Sequence, residues 1–366
     1  MSMLETLARF GLFLLGVAAV AYSLGSIIRT LVLPRAARDT LVRITFLVVR
    51  RVFHLIAPLN GPYARLDRVM AMYGPVALLS CMVPWMLLIL WGYSLIYSAM
   101  GMTPYTEALR ESGSSLFTLG FAVPPTTATS FVAFSEAAVG PLMIALLISY
   151  LPTIYSAFQR REAGVTMLEI RAGTPPNAVE LLSRYQRIRG TKQLSELWPQ
   201  WEIWFVDLEE SHTTLAVLNF FRSPQPDRAW TLAAGTVLDT AALVASTLDL
   251  EVSDPHSLLC LRSGFVALRR VADFFDIPYR KNPQRGDPIS ISKDEYLEVV
   301  EKLRAANLPI RADLDTAWLD FAGWRVNYDE VLLRLCSLTL APPGGLWSSD
   351  RMPPFRAPPI FPRRRR

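Results

Sequence analysis

The sequence predicts an all-α membrane protein, and three observations support this fold class. Hydrophobic residues make up 51% of the 366 residues and the mean hydropathy is +0.27, which is high for a soluble protein. The apolar excess is concentrated before about Phe158, where long uncharged runs occur. After Phe158 apolar residues recur with helical spacing, and strand-like alternation is scarce. We therefore expect a helical membrane part followed by a helical soluble domain.

Three stretches are long and apolar enough to cross a bilayer core of about 30 Å, which requires about 20 residues in a helix. They are residues 10–28, 76–100 and about 126–158. The first could instead be a secretory signal peptide, because Ala19-Val20-Ala21 resembles a cleavage site. Its apolar core is longer than that of usual signal peptides and its basic flank is thin, so a retained span is favoured.

Residues 40–58 are apolar in part but contain Arg43, Arg50, Arg51 and His54, which share one face of a helix at 100° per residue. Each arginine at the centre of a bilayer would cost about 2.5–3.5 kcal/mol. The pattern therefore predicts an amphipathic helix lying in the membrane interface. A voltage-sensing helix is less favoured, because its arginines would recur at every third position through a span.

The arginines predict the orientation. Ten of them flank the spans on one side, eight between the first and second spans and two after the third: Arg29, Arg35, Arg38, Arg43, Arg50, Arg51, Arg65, Arg68, Arg160 and Arg161. The positive-inside rule places them in the cytoplasm, so the connection 101–125 is external and the C-terminal domain is cytoplasmic. We expect a multi-pass protein of the cell (inner) membrane, divided into residues 1–72, 73–160, 161–341 and a disordered Pro- and Arg-rich tail, 342–366.

The external connection predicts a short helix that begins near Thr103-Pro104 or Thr106 and ends near Phe117. It is too short and too polar to cross the membrane. Residues 118–125 then lead directly into the third span. A short helix that enters the membrane and returns as extended chain leaves backbone carbonyls unpaired, and such backbone is tolerated only around a water-filled path or inside protein. This arrangement predicts a re-entrant pore segment, with an external loop packed on the helix ends as the alternative.

Residues 73–160 resemble the pore module of potassium channels, most closely the bacterial proteins with one module per subunit. Thr118, Leu119, Gly120 and Phe121 match the first four positions of the filter Thr-Val-Gly-Tyr-Gly, with Phe in place of Tyr. The resemblance implies a homotetramer in which the carbonyls of these residues, with the Thr118 hydroxyl, replace the hydration of permeant K⁺ or another monovalent cation.

The sequence departs from this family at two positions. Ala122 stands in place of the last filter glycine, and Val123 in place of an acidic residue. An alanine forced to positive φ costs about 1 kcal/mol. The lost carboxylate weakens cation attraction at the pore mouth. These departures leave selectivity between K⁺ and Na⁺ open.

Three residues of the third span are candidates for supporting or gating the pore. The resemblance implies that Glu136 makes hydrogen bonds behind the filter, which we favour over an ion site. Gly140 is either a gating hinge or a small residue that permits close helix packing. Pro141 removes an internal helix hydrogen bond and favours a bend.

The soluble part predicts helices over residues 177–189, 193–221, 227–249, 255–276, 293–306 and 314–340, with Asp227, Asp254 and Ser292 as caps. Residues 232–248 fit a buried core helix. Trp198, Trp201 and Trp204 fit an aromatic cluster packed in the core or at a domain contact, with contact to the membrane surface as the second alternative. Glu209-x-x-His212 could be half of a di-metal site, although a hydrogen-bonded core histidine is favoured. The sequence does not support a nucleotide-binding regulatory domain.

The sequence is compatible with two functions. The first is a potassium-channel-like cation channel, with membrane lipids and three further copies of the chain as partners. The second is a non-conducting scaffold or sensor derived from such a channel, acting through its cytoplasmic domain. We expect no enzyme, because no acid, base or nucleophile set converges. We also expect no nucleic-acid partner, no bound metal site and no cofactor besides the permeant ion.

Overall fold

A computed structural model describes residues 3–33, 39–59, 61–188, 190–250 and 255–354. Over these residues the secondary structure is helical, apart from an isolated antiparallel bridge between Leu248 and Ile310. The chain divides into two compact units. The first unit comprises Met1–Val52 and Pro75–Tyr155, and the second comprises Phe53–Gly74 and Ser156–Arg366.

This division differs from the predicted domains in two ways. The N-terminal helix groups with the module 73–160 instead of standing apart, and residues 53–74 group with the soluble residues. Three helical stretches are long and apolar enough to cross a membrane: Met3–Val32, Tyr63–Ala99 and Thr127–Ala172. The three predicted spans agree with them to within one residue at each shared end, which confirms the prediction of an all-α membrane protein.

Seven helices cover the described residues up to Ala172. They are α1 (Met3–Ile27), α2 (Thr40–Ile56), α3 (Tyr63–Met70), α4 (Tyr73–Ser80), α5 (Met82–Ala99), α6 (Tyr105–Leu116) and α7 (Thr127–Ala172). A π-helical turn, Ile28–Val32, continues α1. At about 1.5 Å per residue, the 46 residues of α7 extend for about 69 Å, more than twice the thickness of a hydrocarbon core.

Glycines bring α1 and α5 into close antiparallel contact. A β-carbon on Gly16 would lie 2.5 Å from the backbone oxygen of Gly92, so a larger residue cannot stand there. Further along α1, the Ser23 hydroxyl donates to the backbone oxygen of Trp85 at 3.1 Å. These contacts lie on both sides of residues 19–21 and hold α1 against α5.

Asp39 connects the end of α1 to the start of α2. Its carboxylate accepts a hydrogen bond from Ser26 at 2.8 Å, pairs with Arg29 at 2.9 Å and accepts from the backbone amides of Leu41 and Val42. It therefore caps α2. Arg35 and Arg38, which the orientation argument also used, lie outside the described residues.

The two sides of α2 differ in exposure as expected for a helix at a membrane surface. The apolar residues Ile44, Val48 and Val52 are exposed together with Arg51, whereas Arg50 is only 4% exposed. In a soluble protein the apolar residues of a helix face inward. This distribution agrees with an interfacial position in which the apolar side faces lipid.

Seven helices form the rest of the second unit. They are α8 (Ala178–Ile188), α9 (Trp198–Thr214), α10 (Trp230–Ser246), α11 (Pro255–Phe274), α12 (Lys293–Ala305), α13 (Leu314–Arg325) and α14 (Asp329–Thr339). Short 3₁₀ turns span Thr191–Glu196, Ala216–Phe220 and Ser349–Arg351. The burial of nearly every residue of α10 confirms the predicted core helix. Trp198, Trp201 and Trp204 are buried in the same core, as predicted.

Two predicted helices of the soluble part are wrong in extent. Residues 193–221 form α9 between two 3₁₀ turns, and residues 314–340 form α13 and α14. The second break lies beside a buried ionic network, in which Arg325 pairs with both Asp239 and Asp329. Because α13 ends at residue 325, Arg325 can pair with carboxylates on two other helices, α10 and α14.

The predicted caps have three different outcomes. Ser292 caps α12 and forms a capping box with Glu295, as predicted. Asp227 is not a cap, because α10 begins after Ala229. Asp254 lies outside the described residues.

The beginning of the predicted disordered tail is ordered. Trp347 is 1% exposed and its ring lies 5.5 Å from that of Phe321. Arg351 forms an ion pair with Glu295. Residues 342–354 are therefore part of the folded second unit, because an indole and a guanidinium both find partners there. Residues 355–366 lie outside the described part of the chain.

Candidate functional site

Helix α6 runs back along α5 instead of leaving it. The Ser112 hydroxyl donates to the backbone oxygen of Leu90 at 3.0 Å. Leu90 lies nine residues before Ala99, the end of α5, which is about 14 Å at about 1.5 Å per residue. The predicted short helix is thus present, and it descends beside the preceding span.

The end of α6 lies against the middle of α7. A β-carbon on Gly140 would come within 2.1 Å of the backbone oxygen of Leu116, the last residue of α6. Gly140 is thirteen residues beyond Thr127, the start of α7, or about 20 Å along the helix. The chain must cover this distance between the two helices.

We call residues 117–126, which join α6 to α7, the return segment. Its ten residues contain no helix. Ten extended residues span at most about 33–36 Å, so the return segment can cover a rise of about 20 Å without helix. The chain therefore passes down as a helix and back up as non-helical backbone beside α7.

Hydrogen bonds at the start of the return segment use its amides. The amide of Thr118 donates to the Ser115 oxygen at 3.0 Å, and the amide of Leu119 donates to the Ser114 oxygen at 2.8 Å. The Ala122 amide donates to the Ser114 hydroxyl at 3.0 Å. In the described part of the chain, no hydrogen bond ends on the carbonyl oxygens of residues 118–121. These four oxygens are acceptors that a bound species can use.

The backbone conformation corrects one prediction. Thr118 has φ of 52° and Gly120 has φ of 69°, whereas Ala122 is not among the residues with positive φ. The left-handed position falls at Thr118 because the chain reverses where α6 ends, as at many helix C-termini. The expected strain at Ala122 is therefore absent. It lies instead at the β-branched Thr118, for which positive φ is unfavourable.

The apolar side chains of the return segment are exposed in the single chain. Phe117, Leu119, Phe121 and Val123 are between 47% and 84% exposed. They alternate with smaller residues, so every second position presents an apolar group. Such a surface is stable only against protein or lipid.

Glu136 connects the three helices behind the return segment. It is fully buried on α7, where it accepts hydrogen bonds from the Ser112 hydroxyl at 2.5 Å and from the Tyr97 hydroxyl at 3.1 Å. Ser112 lies on α6 and Tyr97 on α5. This geometry fits the favoured supporting role, because both carboxylate oxygens are engaged by the protein.

The structure separates the predicted site residues into two groups. Residues 118–122 lie in the return segment, while Glu136 and Gly140 lie where α6 contacts α7. Gly140 permits the close approach to Leu116, which agrees with the packing alternative. Helix α7 is continuous through Pro141.

Sequence reasoning missed two side chains of the candidate site, Ser112 and Ser114, which pair with Glu136 and with the return segment. The run Ser112-Gly113-Ser114-Ser115 was a signal, because small hydroxyl residues at the end of a helix provide local hydrogen bonds.

Both residues of the possible metal half-site in the second unit have protein partners. Glu209 pairs with Arg270, and His212 is fully buried. His212 contacts the Leu208 oxygen through Nδ1 at 3.0 Å and the Arg161 guanidinium through Nε2 at 3.3 Å. Across the described residues, no group of three or more His, Cys, Asp or Glu side chains is placed to hold a metal ion.

Comparisons with protein families, with characterised proteins and with solved structures gave no match to this chain.

Proposed function

We propose that this protein is a cation channel of the membrane in which the return segment lines the ion pathway. The observation that carries the proposal is the contact of Leu116 with Gly140, about 20 Å below the start of α7. Backbone that returns from this depth without helical hydrogen bonds requires water, ions or protein as partners. The unpaired carbonyl oxygens of residues 118–121 provide ligands for such ions.

The charge distribution supports a cation as the permeant species. Between Glu111 and Glu136 the sequence contains no charged residue, so carbonyl and hydroxyl oxygens are the polar groups available along the return segment. Carbonyl oxygens attract cations and repel anions. The C-terminal end of α6 adds the negative end of a helix dipole. K⁺ or another monovalent cation is the proposed substrate.

A complete pathway requires more than one copy of the chain. The exposed apolar side chains of the return segment need a covering surface, and one such segment cannot enclose an ion. The resemblance to potassium channels indicates four copies around an axis. The positive-inside rule places residues 101–125 outside and the second unit in the cytoplasm of a cell whose inner membrane holds the protein.

Flux from liposomes tests this function. Purified protein is reconstituted, and K⁺ and Na⁺ fluxes are measured separately under matched gradients. The wild type is expected to pass cations. Gly120→Asp is expected to abolish flux, because it adds both a carboxylate and a side chain at φ of 69°.

Gly190→Asp is the matched control, since Gly190 also has positive φ, 73°, and open space around it, but lies in the second unit. It should conduct as the wild type does. Absence of flux for the wild type under every gradient would contradict the channel and favour the non-conducting scaffold.

A further inference from the structure

The connection between α9 and α10, residues 215–229, contacts both membrane-connected helices of the second unit. These helices are α3, which begins the candidate span Tyr63–Ala99, and α7, which ends the candidate span Thr127–Ala172. The second unit includes α3 and the part of α7 from Ser156 onward. Apart from the 3₁₀ turn Ala216–Phe220, the connection is not helical. A few side chains and backbone oxygens join it to the two helices.

Arg161 holds α7 on this connection. Its side chain is 1% exposed, and its guanidinium donates to the backbone oxygens of Leu218 at 2.9 Å and Phe221 at 2.7 Å. Glu162 provides the opposite charge at 2.7 Å. The ring of Phe158, one turn earlier on α7, lies 6.0 Å from the ring of Phe221. Two charge-assisted hydrogen bonds from one planar group fix both the distance and the orientation of α7.

Arg222 holds α3 on the same connection. Its side chain is 10% exposed, pairs with Asp67 at 2.5 Å and donates to the Tyr63 hydroxyl. The same guanidinium donates to the backbone oxygens of Thr339 and Leu340, both at 2.9 Å. One group therefore joins α3, the connection and the end of α14. A guanidinium has five donors in a rigid plane, so a lysine could not form this set of bonds.

Phe221 contacts both membrane-connected segments directly. A β-carbon on Gly74, at the start of α4, would lie 2.9 Å from the ring of Phe221 and 3.1 Å from the backbone oxygen of Phe220. The ring of Tyr73 lies 5.4 Å from that of Phe220. Because Phe158 packs on the other segment, the two segments cannot separate without losing these buried contacts.

We propose that Arg161 and Arg222 are positioning residues, which hold α3 and α7 at a fixed separation, and that ion flux depends on this separation. The dependence of flux rests on the proposed function. Helices α3, α4 and α5 form one candidate span, and α7 is continuous. Tyr97 on α5 donates to Glu136 on α7 behind the return segment. A change in the separation of α3 and α7 would therefore reach the two helices that support the pathway.

The distance between two spin labels tests the positioning role. Ala64→Cys on α3 and Ala163→Cys on α7 introduce the labels at exposed positions, and the three native cysteines are buried. Pulsed electron–electron double resonance measures the distance in the purified full chain, with labelled protein diluted by unlabelled protein. The labelled protein is expected to give one narrow distribution of distances. Arg222→Met and Arg161→Met should each broaden it, and unchanged distributions in both would overturn the proposal.

Arg222→Lys provides a milder variant that keeps the charge and loses the planar fork. It should broaden the distribution less than Arg222→Met does. A distribution as broad as that of Arg222→Met would show that the charge alone does not position α3, whereas an unchanged one would contradict the role of the fork.

Flux through Arg222→Met, Asp67→Asn and the double variant tests the dependence of flux. K⁺ flux per reconstituted protein is expected to change by about threefold or more in each single variant. If the two residues act through their shared contact, the double variant changes flux no more than the larger single effect. Unchanged flux in both single variants, or effects that add in the double variant, would contradict this dependence.

Arg351→Met is the matched control. Arg351 also pairs with a carboxylate, Glu295, and donates to the backbone oxygen of Ser290. In the described structure its ion pairs and hydrogen bonds involve neither α3 nor α7. The control should keep the label distance and the flux, and effects equal to those of Arg222→Met would indicate a general loss of stability instead of positioning.

The two measurements separate this proposal from the proposed function. A broadened distance with unchanged flux would refute the dependence of flux on the separation. A wild type that never conducts would refute the channel, while the label distances still decide whether the two arginines position the helices.

Discussion

The backbone oxygen of Leu116 lies so close to Gly140 that a β-carbon at residue 140 would come within 2.1 Å of it. One residue ends a short helix and the other lies in the middle of a long one. Their contact fixes the depth to which the chain re-enters beside α7, so the proposed pathway depends on the absence of a side chain at residue 140.

Gly140→Ala is expected to displace the end of α6 and abolish flux. The new β-carbon would push on the backbone oxygen of Leu116, and this oxygen can move only together with α6. Overpacking of this kind costs about 1–3 kcal/mol. Thermal denaturation and liposome flux measure the effect. Gly113→Ala on α6 is the control, because a β-carbon at residue 113 would lie at an ordinary contact distance of 3.8 Å from Leu90. Normal flux through Gly140→Ala would show that this contact does not position the pathway.

Replacement of Glu136 is expected to reduce stability more than it changes ion selectivity. Glu136→Ala leaves the buried Tyr97 hydroxyl without its carboxylate acceptor, at about 1–3 kcal/mol, and leaves Ser112 with the Leu90 oxygen as its acceptor. Glu136→Gln retains an acceptor and should lose less stability than Glu136→Ala. Thermal unfolding and the ratio of K⁺ to Na⁺ flux distinguish the roles. A direct ion ligand would instead change the flux ratio at unaltered stability.

Hydropathy and arginine placement were sufficient to predict the membrane spans, since length and apolar composition determine whether a helix can cross. The short helix α6 was also predictable, because the stretch contains a helix start signal. The stretch is too polar to cross the membrane. The sequence did not reveal that Gly16 contacts Gly92 or that Gly140 contacts Leu116. Glycine serves hinges, turns and close packing alike, and only three-dimensional contacts distinguish them.

The break between α13 and α14 was not predictable for a related reason. Residues 314–340 keep helical periodicity, and the break depends on Arg325 reaching Asp239, a residue distant in sequence. The positive φ at Thr118 was likewise set by the end of α6. Family resemblance placed the strain at Ala122, whereas the reversal of the chain places it four residues earlier.

His212 is expected to make the second unit less stable in mild acid. Burial, together with the nearby charge of Arg161, holds its pKa well below the ordinary value of 6.5. The unfolded chain therefore binds a proton that the folded chain does not. The free energy of unfolding should fall as the pH drops below about 6.5, by up to about 1.4 kcal/mol per pH unit.

Thermal melts at pH 7.5 and 5.5 check this expectation against His212→Gln, which retains a donor and an acceptor but does not titrate. The wild type should lose about 1.4 kcal/mol more than the variant between these pH values. Parallel pH dependence of the two proteins would indicate that His212 is not the responsible group.

Trp347 is expected to contribute strongly to folding, although it follows the last long helix. Its indole is 1% exposed against Phe321, so Trp347→Ala should cost about 3–5 kcal/mol in denaturant unfolding. Met352→Ala, at an exposed residue of the same segment, should change stability by less than about 0.5 kcal/mol. Equal effects of the two variants would indicate that residues 342–354 are disordered, as the sequence predicted.

The most direct test of the central claim is to locate the permeant ion. Crystals of the full-length protein grown with thallium(I), an anomalous scatterer that substitutes for K⁺, would show where cations bind. The account predicts anomalous peaks on the symmetry axis, between the carbonyl oxygens of residues 118–121 of the surrounding copies. Peaks elsewhere only, with the return segment on the surface away from any axis, would contradict it.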